Sequence, residues 1–186
     1  METRGLRSST RGDHTAPSGA AEASAGLARL QANLTRYGLT ADVSRIDVVV
    51  GAVDSPLLGL DEAQWLDLAR DIDVSVDAAA SVSFLAPLSG LLAINVGGPL
   101  NLLRLAAAVR PKPVHLSSSS SVFNAAAYTG AATAFEDPLV GDGEGFRGGY
   151  PASKWIAERL SDLARARLER NDPPAGISLG RHTDRA

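Results

Sequence analysis

Tyr150 and Lys154 stand four residues apart in the last quarter of a 186-residue chain, and residues 117–121 upstream of them are an unbroken run of serines. A phenol and an ammonium at that spacing can act as an acid. Free tyrosine titrates near pH 10, so at neutral pH it keeps its proton but gives it up reluctantly. A cation one helical turn away favours the phenolate and eases that release. With three tyrosines and two lysines in the chain, a Tyr followed by Lys at this spacing arises by chance in roughly 3% of such sequences, so the surroundings have to carry the argument. Trp155, Ile156, Leu160 and Leu163 recur at helical spacing, which predicts a helix with an apolar face. On that helix Tyr150 and Lys154 share one side.

The elements that must position this pair can be read along the chain. Residues 1–22 are rich in Ser, Thr, Gly, Arg and Ala, show no helical or strand period, and are expected to be a disordered lead-in. From residue 23 to 180 the pattern is that of one domain. Leu27, Leu30, Leu34 and Tyr37 lie on one predicted helical face, which Gly38 closes. The run 45–50 is a predicted strand. A helix capped at Asp61-Glu62 carries Trp65, Leu66 and Leu68, and a second strand covers 74–78 and ends on Ala78, Ala79 and Ala80. Such small residues either let backbone approach a ligand or pack the strand end tightly. Residues 88–109 read as a helix kinked or divided at Gly97-Gly98-Pro99. A third strand, 113–116, leads into the serines, 132–149 is a loop, 176–179 is a fourth short strand, and 181–186 is a polar tail. Strands alternating with helices predict an α/β fold with a Rossmann-like parallel sheet, which binds ligands beyond the carboxyl ends of its strands.

Composition narrows the function classes. The net charge of −3 gives no sign of nucleic-acid binding, and no apolar run is read as long enough to span a bilayer. The absence of cysteine removes disulfides and thiolate metal ligands and fits a reducing cytoplasm. His14, His115 and His182 are too scattered for a zinc site, so no metal is expected. His115 reads better as a partly buried strand residue than as a base, and Trp65 and Trp155 as packing residues. The serines lack a G-x-S-x-G elbow. Gly143, Gly145 and Gly148 match G-x-G-x-x-G, but that fingerprint works where a first strand meets a helix N-terminus, and this match follows a loop late in the chain. A loop beside the active site is the better reading.

Taken in order, the alanine strand end, Asn95-Val-x-Gly98, the serine-rich strand end and Tyr150-x-x-x-Lys154 resemble the extended short-chain dehydrogenase/reductase superfamily. Residues 27–39 (LARLQANLTRYGL), Gly59-Leu60 with Trp65, residues 110–115 (RPKPVH), Ser121-Val-Phe123 and residues 149–159 (GYPASKWIAER) are similar to the thioester reductase domains of carboxylic acid reductases and of peptide and polyketide synthetases. The resemblance implies NADPH-dependent reduction of an acyl thioester, held on a phosphopantetheinyl carrier protein, to an aldehyde that can be reduced again to an alcohol. It implies that Tyr150 is the acid, that Lys154 assists it and holds the nicotinamide ribose, and that Ser119 bonds the substrate oxygen. It further implies that Asn95 in the kinked helix supports a water near Lys154, and that Ala79 and Ala80 approach the cofactor. An exposed helical polar residue is the alternative for Asn95.

The departures from the family carry equal weight. The family's T-G-x-x-G-x-x-G pyrophosphate loop does not occur in this sequence, its Gly-Asp-Leu is Gly51-Ala52-Val53, and its His-Asn pair before the alanines is Asp77-Ala78. The expectation is a truncated reductase domain that lacks the first strand and the C-terminal substrate domain and binds NADPH poorly. A fatty acyl or nucleotide-sugar reductase, and an inactive fragment serving as an interaction module, are the alternatives.

Overall fold

The computed structural model describes residues 6–11, 19–124, 130 and 143–171, which divide into two compact units, Met1–Ala52 and Val53–Ala186. In the first unit, strand β1 (Leu6–Arg11), helix α1 (Gly19–Arg36) and strand β2 (Ile46–Gly51) form a βαβ unit. The two strands are parallel and in register from Leu6 opposite Ile46 to Arg11 opposite Gly51. The expectation of a disordered lead-in over residues 1–22 is therefore corrected at 6–11, and the domain starts before residue 23 because α1 opens at Gly19. The run LRSSTR shows no apolar alternation, and it is the backbone ladder to the β-branched β2 that makes it a strand. Helix α1 ends as its sequence predicts. Gly38 takes φ 64°, and the Leu39 N–H returns to the Leu34 carbonyl at 2.8 Å, satisfying a carbonyl at the helix end. Tyr37, expected on the apolar face, is 71% exposed and carries the Arg36 guanidinium over its ring.

The second unit holds the chemistry. Helix α2 (Glu62–Asp71) starts at a reciprocal cap, the Gln64 N–H donating to Asp61 Oδ1 at 2.8 Å and the Asp61 N–H to Gln64 Oε1 at 3.3 Å. Strands β3 (Ser75–Asp77) and β4 (Val114–Leu116) run parallel, with Ser75 opposite Val114 and Asp77 opposite Leu116. Between them lie helix α3 (Leu88–Leu92), a π-helical turn (Ala93–Gly97) and helix α4 (Gly98–Ala107). The predicted kink is this π-turn, which widens the helix one turn ahead of Pro99. Helix α5 (Gly149–Asn171) is the longest element. Leu58, Leu68, Ala69 and Leu105 form a core, with Trp65 packed against it as expected. The predicted strand at 176–179, the tail 181–186, and most of the 132–149 loop lie outside the described residues.

By length and composition alone, Leu88–Ala107 could cross a membrane, contrary to the expectation that no run is long enough. Within it Leu91, Asn95, Asn101 and Leu105 are buried, and Asn101 Nδ2 donates to the Val53 and Ser55 carbonyls at 2.9 Å, which makes the segment a core helix of this unit. After α4 the chain turns sharply. Val109 takes φ 64°, and the Arg110 N–H reaches the Ala108 carbonyl at 2.7 Å, a γ-turn on a β-branched residue. Lys112 secures it. Its ammonium is buried and donates to the Ala108 and Arg110 carbonyls at 2.8 and 3.0 Å, and burial lowers its pKa below the ordinary lysine value.

Helix α5 enters against the segment before α3 at a point where only glycine fits. A Cβ on Gly149 would lie 2.5 Å from the Leu88 nitrogen and 2.7 Å from the Ala86 oxygen, both of them backbone atoms that have no rotamer to escape into. The substitution Gly149→Ala is expected to destabilise the chain by about 1–3 kcal/mol, the range for forced overpacking. Urea unfolding followed by tryptophan fluorescence checks this, and an unchanged midpoint would mean that the contact is not close.

Candidate functional site

The buried stripe of α5 is polar, and it is not the apolar face that the sequence predicts. Tyr150, Ser153, Lys154, Ala157, Glu158 and Ser161 are at most 7% exposed, whereas Leu163 is 61% exposed and Trp155, Ile156 and Leu160 are half-buried. These positions follow i, i+3, i+4, i+7, i+8, i+11, the period of a helix face. Charged side chains are rarely this buried unless they are paired or employed. The regular spacing of small and polar residues was the available signal, and apolar periodicity masked it.

Lys154 reaches the carboxyl end of β4, where its ammonium donates to the Ser117 carbonyl at 2.9 Å. The Ser117 N–H in turn donates to the Asp77 carbonyl at 2.9 Å, so one serine backbone joins the ends of both strands to the lysine. Glu158, one turn further along α5, accepts a hydrogen bond from the Ser118 hydroxyl. Burial lowers the Lys154 pKa below the ordinary lysine value, opposed by the carboxylates of Asp77 and Glu158. Burial raises that of Asp77, opposed by its hydrogen bond from the Ala79 N–H and by Lys154. Sequence reading named Asp77 only as a departure from the family; its place in the site follows from the register of β3 on β4.

Asn95 is fully buried in the π-turn, which removes the exposed alternative. Its Oδ1 accepts from the Ser81 N–H at 2.7 Å, and its Nδ2 donates to the Ser81 carbonyl at 3.0 Å and to Ser153 Oγ at 2.9 Å. Ser153 Oγ donates to the Tyr150 carbonyl at 2.8 Å. The segment after β3 is thereby linked through one amide to the first turn of α5, which carries the tyrosine. Tyr150 itself is held edge-on by Phe84, with ring centroids 5.3 Å apart.

Ser119 is half-buried, and its Oγ lies 2.9 Å from Ser121 Oγ and accepts from the Ser121 N–H at 3.2 Å. Among the described residues, neither Ser119 nor Lys154 bonds the Tyr150 hydroxyl. Ala79 is half-buried and Ala80 exposed, and the Ala79 N–H is taken by Asp77 Oδ1 at 3.0 Å. His115 sits in β4, half-buried as expected, and no group of metal-binding side chains occurs among the described residues.

Two tests bear on a dinucleotide cofactor. At the strand ends the residues fit its ribose end: a buried ammonium has two N–H groups beyond its bond to Ser117, and small residues follow β3. For the pyrophosphate no cradle is found among the described residues, because the one G-x-G-x-x-G run is used for packing. Gly143, Gly145 and Gly148 all take left-handed φ (85°, 82° and 112°), and a Cβ on Gly143 would lie 2.8 Å from the Trp155 ring.

Comparison with known proteins supplies the family. A family profile described as male sterility protein, of NAD-binding type, matches residues 18–171. The isonitrile lipopeptide synthase of Streptomyces coeruleorubidus is 36% identical over 166 residues, which are 89% of this chain and 11% of that protein. The crystal structure of the terminal R domain from the myxalamid PKS-NRPS biosynthetic pathway superposes with a TM-score of 0.75 at 31% identity, covering 94% of this chain and 40% of that one. The reductase (R) domain of a non-ribosomal peptide synthetase from Mycobacterium tuberculosis superposes with a TM-score of 0.55 at 31% identity, covering 75% of this chain and 31% of that one. The chain thus spans well under half the length of the relatives it matches. The chain belongs to the male sterility protein family of NAD-binding domains, here as part of a reductase domain of the synthetase-terminal type.

Proposed function

We propose that the polar stripe of α5 supplies the proton-transfer groups for reduction of an acyl thioester, presented by a phosphopantetheinyl carrier protein, with NADPH as reductant. The observation that carries this reading is the placement of Lys154, buried one turn from Tyr150 and bonded to the Ser117 carbonyl where β4 ends. A bound nicotinamide supplies hydride to the thioester carbonyl carbon, and negative charge then develops on the carbonyl oxygen. The chain's residues answer that charge. Tyr150 gives its hydroxyl proton to the oxygen, Ser119 donates a hydrogen bond to it, and Lys154 stabilises the phenolate left behind. The hydroxyl so formed returns its proton to the Tyr150 phenolate as the carbon–sulfur bond breaks, which leaves the aldehyde and restores the tyrosine, and the departing thiolate takes a proton from solvent to become the carrier thiol. The free N–H groups of Lys154 would hold the ribose hydroxyls, and Ala79 and Ala80 would let the cofactor lie close to the chain. Asn95 acts on the site through Ser153 and the backbone of Tyr150.

The pyrophosphate end sets the expected affinity for the cofactor, since no phosphate cradle is found among the described residues. Titration of NADPH fluorescence with the full chain is expected to show no saturation in the micromolar range, and saturable micromolar binding would mean that other residues grip the phosphates. At high NADPH and with an acyl phosphopantetheine thioester, Tyr150→Phe is expected to lower aldehyde formation about 10²–10⁴-fold, the usual contribution of a positioned acid. Undiminished aldehyde formation would remove Tyr150 from the reaction.

A further inference from the structure

We propose that Asp77 is a positioning residue for Lys154: its carboxylate, buried at the carboxyl end of β3, supplies the counter-charge that keeps the ammonium at the strand ends beside Ser117. The inference rests on the reading of Lys154 as the cation of the acid pair. Asp77 is 3% exposed. Its Oδ1 accepts from the Ala79 N–H, and its Oδ2 is buried with no hydrogen-bond partner among the described residues. A buried carboxylate oxygen left in this way carries a desolvation penalty in its ionised form, which a nearby positive charge offsets. Lys154 is the cation that the backbone of Ser117 brings to the same strand ends as Asp77, and each of the two groups acts on the other's ionisation. Two hydrogen bonds make the link: the Ser117 N–H donates to the Asp77 backbone carbonyl, and the Ser117 carbonyl accepts from the Lys154 ammonium.

The other charged or titratable groups around Lys154 are few. On its own helix they are Tyr150 and Glu158, the latter bonded by the Ser118 hydroxyl. His115 of β4 stands opposite Val76 in the register, on the sheet face away from Asp77. Across 88–107 the one charged residue is Arg104, which donates to Asn101 Oδ1 at 3.3 Å. Among the described residues, Asp77 and Glu158 are the two carboxylates that act on the ammonium, Asp77 the more strongly.

The chain's two lysines make the test direct. The full chain labelled with [13Cε]lysine gives two side-chain signals, and Lys154→Arg identifies which is which. Asp77→Asn is expected to move the Lys154 titration midpoint downward while leaving that of Lys112 in place, Asp77→Glu to restore most of it, and Glu158→Gln to move it down by less. An unmoved Lys154 midpoint in Asp77→Asn, or a larger movement in Glu158→Gln, would overturn the proposal. In the native chain the Lys154 signal should also show an acid-range inflection in step with the Asp77 carboxyl carbon, and its absence would overturn the proposal even if the variants do not fold. None of these readouts needs turnover, so a chain that reduces no thioester would refute the proposed function and leave this assignment standing.

Discussion

The rest of the site depends on one buried amide. Asn95 spends its side chain on the backbone of Ser81 and on Ser153, and no water can replace it at full burial. A typical intramolecular hydrogen bond adds about 1 kcal/mol, but a buried polar group left unmade costs about 1–3 kcal/mol. Losing Asn95 would orphan Ser81 and disturb Ser153 together, so the network resists partial failure. Its placement in a π-turn has a physical reason. Widening the helix by one residue lets a side chain on the α3–α4 segment face both the strand-end segment and α5, at the level where Tyr150 begins its helix.

The charges on the same stripe work against stability. Burial disfavours the charged forms of both Lys154 and Asp77, and buried charges are often no better for stability than apolar residues of equal size. A helix that buried leucines instead of Tyr150, Lys154, Glu158 and two serines would be expected to hold the fold at least as well. Such burial makes chemical sense where a lysine must act on a phenol, because a low local dielectric strengthens that influence. Lys112, the other buried lysine, shows the contrast: its ammonium is consumed by two carbonyls at a strained turn and is structural.

Much of the architecture was legible in the sequence, and the exceptions have physical causes. The helix at 62–71 is legible from its cap at Asp61 and that at 149–171 from helical spacing, and Gly38 marks the end of α1 because φ 64° suits a residue without Cβ. Strand β1 was missed because its residues are polar and its stability lies in a ladder to a partner forty residues away. The buried face of α5 was misread because apolar residues suggested the core side, while the site claimed the polar side. Spacing and family likeness single out Tyr150, Lys154, Ser119 and Asn95 as candidates, but not the hydrogen bond from Asn95 to Ser153, which joins residues 58 apart in the chain. Asp77 surfaced as a mismatch with the family, and only the strand register gave it a partner.

The central claim is that the Asn95–Ser153 hydrogen bond couples the strand-end segment to the helix that carries Tyr150. A double-mutant cycle on the stability of the full chain, with Asn95→Ala, Ser153→Ala and both together, measures that coupling directly. The account predicts an interaction energy of about 1 kcal/mol or more, within the 0.5–3 kcal/mol range seen for residues sharing a network. Additivity to within about 0.3–0.5 kcal/mol, the behaviour of independent sites, would contradict it.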